Sequence, residues 1–311
     1  MIVALAGGVG GAKLAQGLYR VLPPDTLTVI VNTADDFELW GLHISPDLDT
    51  VMYTLAGLAN PVTGWGVVDE SWQALAMLRR YGYETWFQIG DRDLATHVAR
   101  SDWLRQGASL TEVTQRFTRA LGLRAQLLPM CDAPVRTLVD TPAGRFEFQE
   151  YFVRRQHRDA VRGIELRGIE QAQLTSPVRA ALAAAQAVVI CPSNPIVSIG
   201  PILAVSGMRA ALHQTGAPVV AVSPIVGGKA LRGPADRMLA GLGHEPSALG
   251  VARIYAGLID GLVIDQADAE QRAAIEALGL RVLVTDAVMR DEEDRRRLAE
   301  ETLAFARECA R

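Results

Sequence analysis

Two short apolar runs, Ile2–Ala6 (IVALA) and Leu27–Val31 (LTVIV), bracket the loop Gly7–Lys13 (GGVGGAK) and one helical period. Such short, almost wholly apolar runs read as buried strands. Between them Leu14, Leu18, Val21 and Leu22 recur at helical spacing, and Pro23-Pro24 stops the helix. Strand, glycine loop, helix and strand make a βαβ unit. Its right-handed crossover puts both strand ends on one rim. The glycine loop and the residues after Val31 are therefore neighbours in space.

The same rhythm returns late in the chain. The runs Ala187–Cys191, Val219–Ser223, Gly261–Asp265 and Arg281–Thr285 alternate with helical stretches, and a charged helix begins at Asp291. Between the two halves the pattern changes. Helices are expected over Leu48–Leu58, Glu70–Tyr81 and from Gly90-Asp91-Arg92-Asp93 to about Arg105, with another capped by Ser109 in a capping-box pattern. Arg124–Pro129, Val135–Asp140, Gly144–Val153 and Val161–Arg167 read as strands, with Thr141-Pro142-Ala143-Gly144 as a turn. The expected fold is one composite α/β domain over residues 1–311. Its mostly parallel sheet is interrupted at roughly 60–175 by a mixed helical and antiparallel insertion.

The stretch Asn32–Thr50 carries Asp35, Asp36, Glu38, Asp47 and Asp49 with no Lys or Arg. It lies where α/β enzymes place ligands, at the carboxyl end of a parallel strand. Aspartates crowded on one loop repel each other unless a cation or hydrogen-bond donors compensate. A Mg²⁺ held by carboxylates and facing a phosphorylated ligand is the expectation. Helix caps and solvated charges are the plainer account of any one of these residues.

The loop GGVGGAK suits a phosphate cradle at a helix N-terminus. It matches neither the Walker A pattern, which needs Ser or Thr after Lys13, nor the dinucleotide fingerprint, which needs glycine where Lys13 stands. Two later loops occupy the same topological position, Ser193-Asn194-Pro195 and Gly227-Gly228-Lys229 with Arg232. Each singly is ordinary turn chemistry; together with the acidic stretch they point to a nucleotide-type site. Arg92 stands between Asp91 and Asp93 at a helix start, aimed at an anionic ligand or paired on the surface. His97, one turn beyond Asp93, reaches the same side, although a half-buried structural histidine is the commoner case. The net charge of −4 argues against a nucleic-acid binder. Cys131, Cys191 and Cys309 form no disulfide or zinc spacing. A cytoplasmic protein with no membrane partner is expected.

Taken together, GGVGGAKLAQGL, VNTADD, ISPDLDTVMYTLAG, GDRDLATH, PSNPIVSIGPI and SPIVGGKALRGPAD resemble the phospholactate (phosphoenolpyruvate) transferases of coenzyme F420 synthesis. The likeness runs from Met1 to beyond Asp236. It implies a Rossmann-like sheet with helices on both faces, a homodimer and a requirement for Mg²⁺. It also implies two substrates, the deazaflavin Fo and a guanosine diphosphate-linked three-carbon acid, with release of GMP. By that resemblance Asp49 and Arg92 hold Fo, and Asp49 and Asp36 are the catalytic candidates. Asp35, Asp36 and Asp47 form the metal side. Gly8, Gly10, Gly11, Lys13, Ser193, Asn194, Gly228, Lys229 and Arg232 form the nucleotide side. The related nucleotide-sugar-binding gluconeogenesis factors, which are not enzymes, share the glycine-loop start. Phe37-Glu38-Leu39-Trp40 stands where they carry a Gly- and Ser-rich segment, which favours the transferase. A nicotinamide oxidoreductase using GGVGGAK is disfavoured by the further acids at Asp47 and Asp49.

Overall fold

The computed structural model describes residues 1–310. The strand-like runs become β1 (Ile2–Ala6), β2 (Leu27–Val31), β3 (Gln126–Pro129), β4 (Ala187–Ile190), β5 (Val219–Val222), β6 (Gly261–Asp265) and β7 (Arg281–Thr285). They form one seven-stranded sheet in the order β7-β6-β5-β4-β1-β2-β3, with every neighbouring pair parallel. The chain winds one way from β1 to β3 and the other way from β4 to β7. The gap between β1 and β4 is thus a topological switch point, with a crevice outside the strands' carboxyl ends.

Two-sided burial explains why these strands are apolar at successive positions. Side chains alternate between the faces. Val3, Leu5, Ile30, Val188 and Ile190 pack on one face against the helices Ser176–Ala183, Met208–Gln214 and Ala248–Tyr255. Ala4, Ala6, Val29, Val31 and Val189 pack on the other against α1 (Gly8–Val21), α2 (Pro46–Leu55) and the terminal helix Glu292–Cys309. The helices on both faces match the expectation.

The interrupting stretch is divided by the sheet itself. Gln126–Pro129 does not join the antiparallel strands. It pairs in parallel with β2, because Leu127 and Leu128 are needed in the cores of opposite faces. A separate three-stranded antiparallel sheet has Arg136–Thr141 at its centre, flanked by Gly144–Glu147 and Gly163–Arg167. The strand expected to run to Val153 ends at Glu147, and Glu150–Arg154 coils into a π-helical turn. Phe148, Tyr151, Val161 and Met238 share one small core, with Phe152 packed against it. A strand would send Tyr151 and Phe152 to opposite sides. The coil instead stacks Phe152 on Phe148, centroids 5.5 Å apart.

The helix expected over Glu70–Tyr81 is shortened to Gln73–Arg80. Glu70 is drawn off to cap α3 (Asp91–Arg105), accepting from the backbone N–H groups of Arg92 (2.9 Å) and Asp93 (2.8 Å). Asp91 returns the favour, accepting from the N–H groups of Gln73 and Ala74 at 3.0 Å each. This reciprocal capping fixes the segment before α3 to its start. Among the described residues no helix is long and apolar enough to cross a membrane.

At Gly17, α1 meets the terminal helix so closely that a Cβ would overlap the Arg295 carbonyl and press on Ala299. In an ordinary helix interior alanine is favoured over glycine by about 0.5–1 kcal/mol. Here Gly17→Ala is expected to destabilise by about 1–3 kcal/mol, read as a lowered Tm by calorimetry; a raised Tm would contradict this packing.

Candidate active site at the switch point

A cleft of about 550 Å³ opens at the carboxyl ends of β1 and β4. Its floor is the glycine loop. The Gly7 N–H donates to Ser193 Oγ (3.0 Å), and the Ser193 hydroxyl donates back to the Gly7 carbonyl (2.8 Å). A Cβ at Gly10 would overlap the Pro192 carbonyl, and one at Gly11 the Ser193 hydroxyl. Glycine at these two positions lets α1 start directly against the loop after β4. Gly8, Gly10 and Lys13 line the cleft, whereas Gly11 is turned inward to Ser193. The first turn of α1 has no acidic residue and Gly7 supplies no side-chain cap. Its free N–H groups and the helix dipole favour an anion.

The anion facing that end is Asp47, in the first turn of α2. Its carboxylate lies against Gly7 and Gly8, whose backbone favours its charged form. The amide of Asn32 donates to Asp47 Oδ2 (2.9 Å) and to Asp35 Oδ2 (3.1 Å), joining the two acids. Both are buried, and among the described residues no Lys or Arg is paired with either. Burial pushes the Asp47 carboxyl up to about 6 against the pull of Asn32. Burial, and then the Asp47 charge, push Asp35 well above the carboxylate range. Among the described residues Asp35 Oδ1 is buried without a hydrogen bond, although the Thr137 hydroxyl offsets part of the rise at Asp35. Asp36 lies outside the cleft lining. It accepts from Ser45 Oγ (2.7 Å), pairs with His43 Nε2 (2.9 Å), and ties the loop to the hairpin Phe37–Leu39/Leu42–Ile44.

Asp49 is two residues beyond Asp47 on α2. Two residues turn a helix by about 200°, so its carboxylate meets α3 instead. Arg100 forks it, Nη1 to Oδ2 at 3.0 Å and Nη2 to Oδ1. His97 Nδ1 lies 3.2 Å from Arg100 Nη1, and its Nε2 lies 3.4 Å from Asp93 Oδ1. The Tyr53 hydroxyl donates to that same Asp93 oxygen at 2.8 Å. Burial raises the Asp49 carboxyl, and Arg100 and His97 oppose it. Asp49, Tyr53, Asp93 and His97 line the cleft beside Trp86 and Phe87. Arg92 does not; its exposed guanidinium donates to the Val68 carbonyl at 2.9 Å. Sequence reasoning missed Arg100, although Asp93, His97 and Arg100 fall on one helical face at spacings of four and three.

On the opposite side, Asn194 Oδ1 accepts from the Ile196 N–H at 2.9 Å and starts the next turn, with Asn194 itself in the lining. Gly227 and Gly228 both have positive φ and form the two-residue turn of a hairpin between Val226 and Lys229. Gly228 and Lys229 stand outside the cleft, so these glycines serve the hairpin. The chain reaches the cleft just afterwards, at Arg232, which also donates to the Thr63 carbonyl at 2.7 Å. Lys13 Nζ donates to the Met289 carbonyl at 2.8 Å, and burial lowers its pKa, helped by Arg295 and Arg232.

A parallel doubly wound sheet, with an anion-seeking glycine loop and buried carboxylates at its switch point, defines a doubly wound α/β protein with its cleft where that fold binds ligands. Its sequence places it more narrowly. The model of the family 2-phospho-L-lactate transferase CofD matches residues 2–303, and the chain belongs to that family of transferases. It is 43% identical over 313 residues to a phosphoenolpyruvate transferase from Streptomyces griseus, covering 99% of this chain and 98% of the relative. It is 38% identical over 299 residues to a 2-phospho-L-lactate transferase from Methanosarcina mazei, covering 96% and 98%. A crystal structure of a UPF0052 family protein from Bacillus halodurans shares the fold, with a TM-score of 0.67 at 15% identity over 97% of this chain and 98% of that one.

The shift at Asp47 fixes a stability prediction for metal-free protein. Its carboxyl titrates at about 6 when folded against an ordinary aspartate value of 3.8, so stability falls as pH rises through that window. Asp47→Asn in chelator is expected to gain about 2–3 kcal/mol over the parent at pH 8 and little at pH 4. Denaturant titrations at the two pH values test this; an equal effect at both would contradict it.

Proposed function

We propose that this cleft transfers a 2-phospholactyl or enolpyruvyl phosphate group from a guanosine diphosphate-linked donor to the ribityl hydroxyl of the deazaflavin Fo. GMP is released, and the step belongs to coenzyme F420 synthesis. The observation that carries this reading is the division of the buried acids. Asp47 stands against Gly7 and Gly8 and is joined to Asp35 through Asn32, whereas Asp49 is held from α3 by Arg100, and the same cleft is lined by Trp86 and Phe87, which suit a planar ring system. The cytoplasmic homodimer implied by the resemblance belongs to the same proposal.

A divalent cation fits the first acid pair. Asp35 and Asp47 share a single Asn32 amide, Asp35 Oδ1 is buried without a hydrogen bond among the described residues, and burial disfavours both charges. Asp35 and Asp47 would hold Mg²⁺, with Asp36 behind them, and the ion would neutralise diphosphate charge there. Everything else falls to the chain. The N–H groups at the start of α1 bind a phosphate of the donor. Lys13 and Arg232 offset the charge of the leaving nucleotide. Trp86, Phe87 and Tyr53 take the deazaflavin ring. Asp49 accepts the hydrogen bond of the ribityl hydroxyl and takes its proton as that oxygen bonds to phosphorus and the bond to GMP breaks. No covalent enzyme intermediate is required.

Incubation with Fo, Mg²⁺ and each candidate donor, read by mass spectrometry, tests the proposal. The expected products are the Fo phosphodiester and GMP in equal amounts with at least one donor. Nucleotide binding without an Fo adduct from any donor would sink it.

A further inference from the structure

Asp49, Asp93 and His97 offer ligand atoms within 4.8 Å of one another, a constellation resembling a metal site. A positive charge is already there. The guanidinium of Arg100, 2% exposed, grips both oxygens of Asp49 and reaches His97 Nδ1 at 3.2 Å. With Arg100 on its Nδ1 side, the His97 ring turns Nε2 toward Asp93 Oδ1, 3.4 Å away. Behind the guanidinium lies the Phe117 ring, 5.6 Å away. Arg100 and Phe117 are both outside the cleft lining. Burying a guanidinium is costly unless it is fully paired, and a helix fastened only for stability has no need of one.

We infer that Arg100 is a positioning residue for the acceptor: its planar fork fixes Asp49 in one orientation at the cleft wall, so that the incoming hydroxyl is aligned with the donor phosphorus. This rests on the proposed transfer to Fo. The fork is what matters, beyond the charge. A lysine would still neutralise Asp49, but as a point charge on a flexible stem it would not fix both oxygens. Phosphoryl transfer depends heavily on such alignment, so small misplacements are costly.

The test compares Arg100→Lys and Phe117→Leu with the parent enzyme, measuring Tm, GDP affinity, and kcat and KM for Fo. Arg100→Lys is expected to keep GDP affinity within about twofold while kcat falls about tenfold or more. Phe117→Leu, which only loosens the packing behind the guanidinium, is expected to lower kcat about threefold at unchanged GDP affinity, and it keeps the test open if the lysine variant fails to fold. Parent-like kcat in a folded Arg100→Lys protein, or in Phe117→Leu if the lysine variant does not fold, would overturn the inference and leave the transferase reading standing. Equal losses in GDP affinity and kcat would also overturn it, by marking Arg100 as general scaffolding. A parent enzyme that is inert toward Fo would sink the functional reading, and this inference with it.

Discussion

The site depends on an unfavourable juxtaposition. A helix N-terminus that attracts anions is met by a carboxylate of the protein, Asp47, with Asp35 buried beside it and one asparagine between them. Burial penalises both charges and holds both carboxyls above their ordinary range. Much of the surrounding structure serves to hold them there. Ser193 locks the glycine loop, Asp36 ties the acidic loop to its hairpin through Ser45 and His43, and α2 packs its apolar face under the sheet. The result is a pair of buried carboxyls, joined by one amide, beside a helix end that attracts anions.

The helical repeat then separates two tasks. Asp47 and Asp49 are two residues apart, so one looks to α1 and the other to α3. Asp47 stands at the start of α1 and Asp49 in the fork of Arg100 on α3, and a single residue of backbone separates the two. Reciprocal capping by Glu70 and Asp91 anchors the start of α3 and so sets where Asp93, His97 and Arg100 stand. A short, rigid connection of this kind suits a reaction in which positioning supplies most of the catalysis.

The parallel sheet could be read from the sequence because two-sided burial leaves an apolar signature on each strand. The glycine loop and the acidic stretch were readable because βαβ handedness fixes their common rim. Other features were not. Gln126–Pro129 is four residues long, and its pattern does not distinguish the edge of one sheet from the start of another. Gly227-Gly228-Lys229 looks like a phosphate loop because a positive-φ hairpin turn and an anion cradle use the same residues. Arg100 resembles a solvated helix charge in sequence, and only its spacing from Asp93 and His97 hints otherwise. Arg92, the more conspicuous arginine, is held on the outer side by Val68.

If the buried pair Asp35 and Asp47 holds a divalent cation, as proposed, donor binding depends on that ion. Calorimetric titration of GDP into the protein, with Mg²⁺ and then with EDTA, measures this directly. Affinity is expected to fall at least about tenfold, roughly 1.4 kcal/mol, when the ion is removed, and Asp47→Asn is expected to abolish most of that difference. Equal GDP affinity in Mg²⁺ and in EDTA would contradict it.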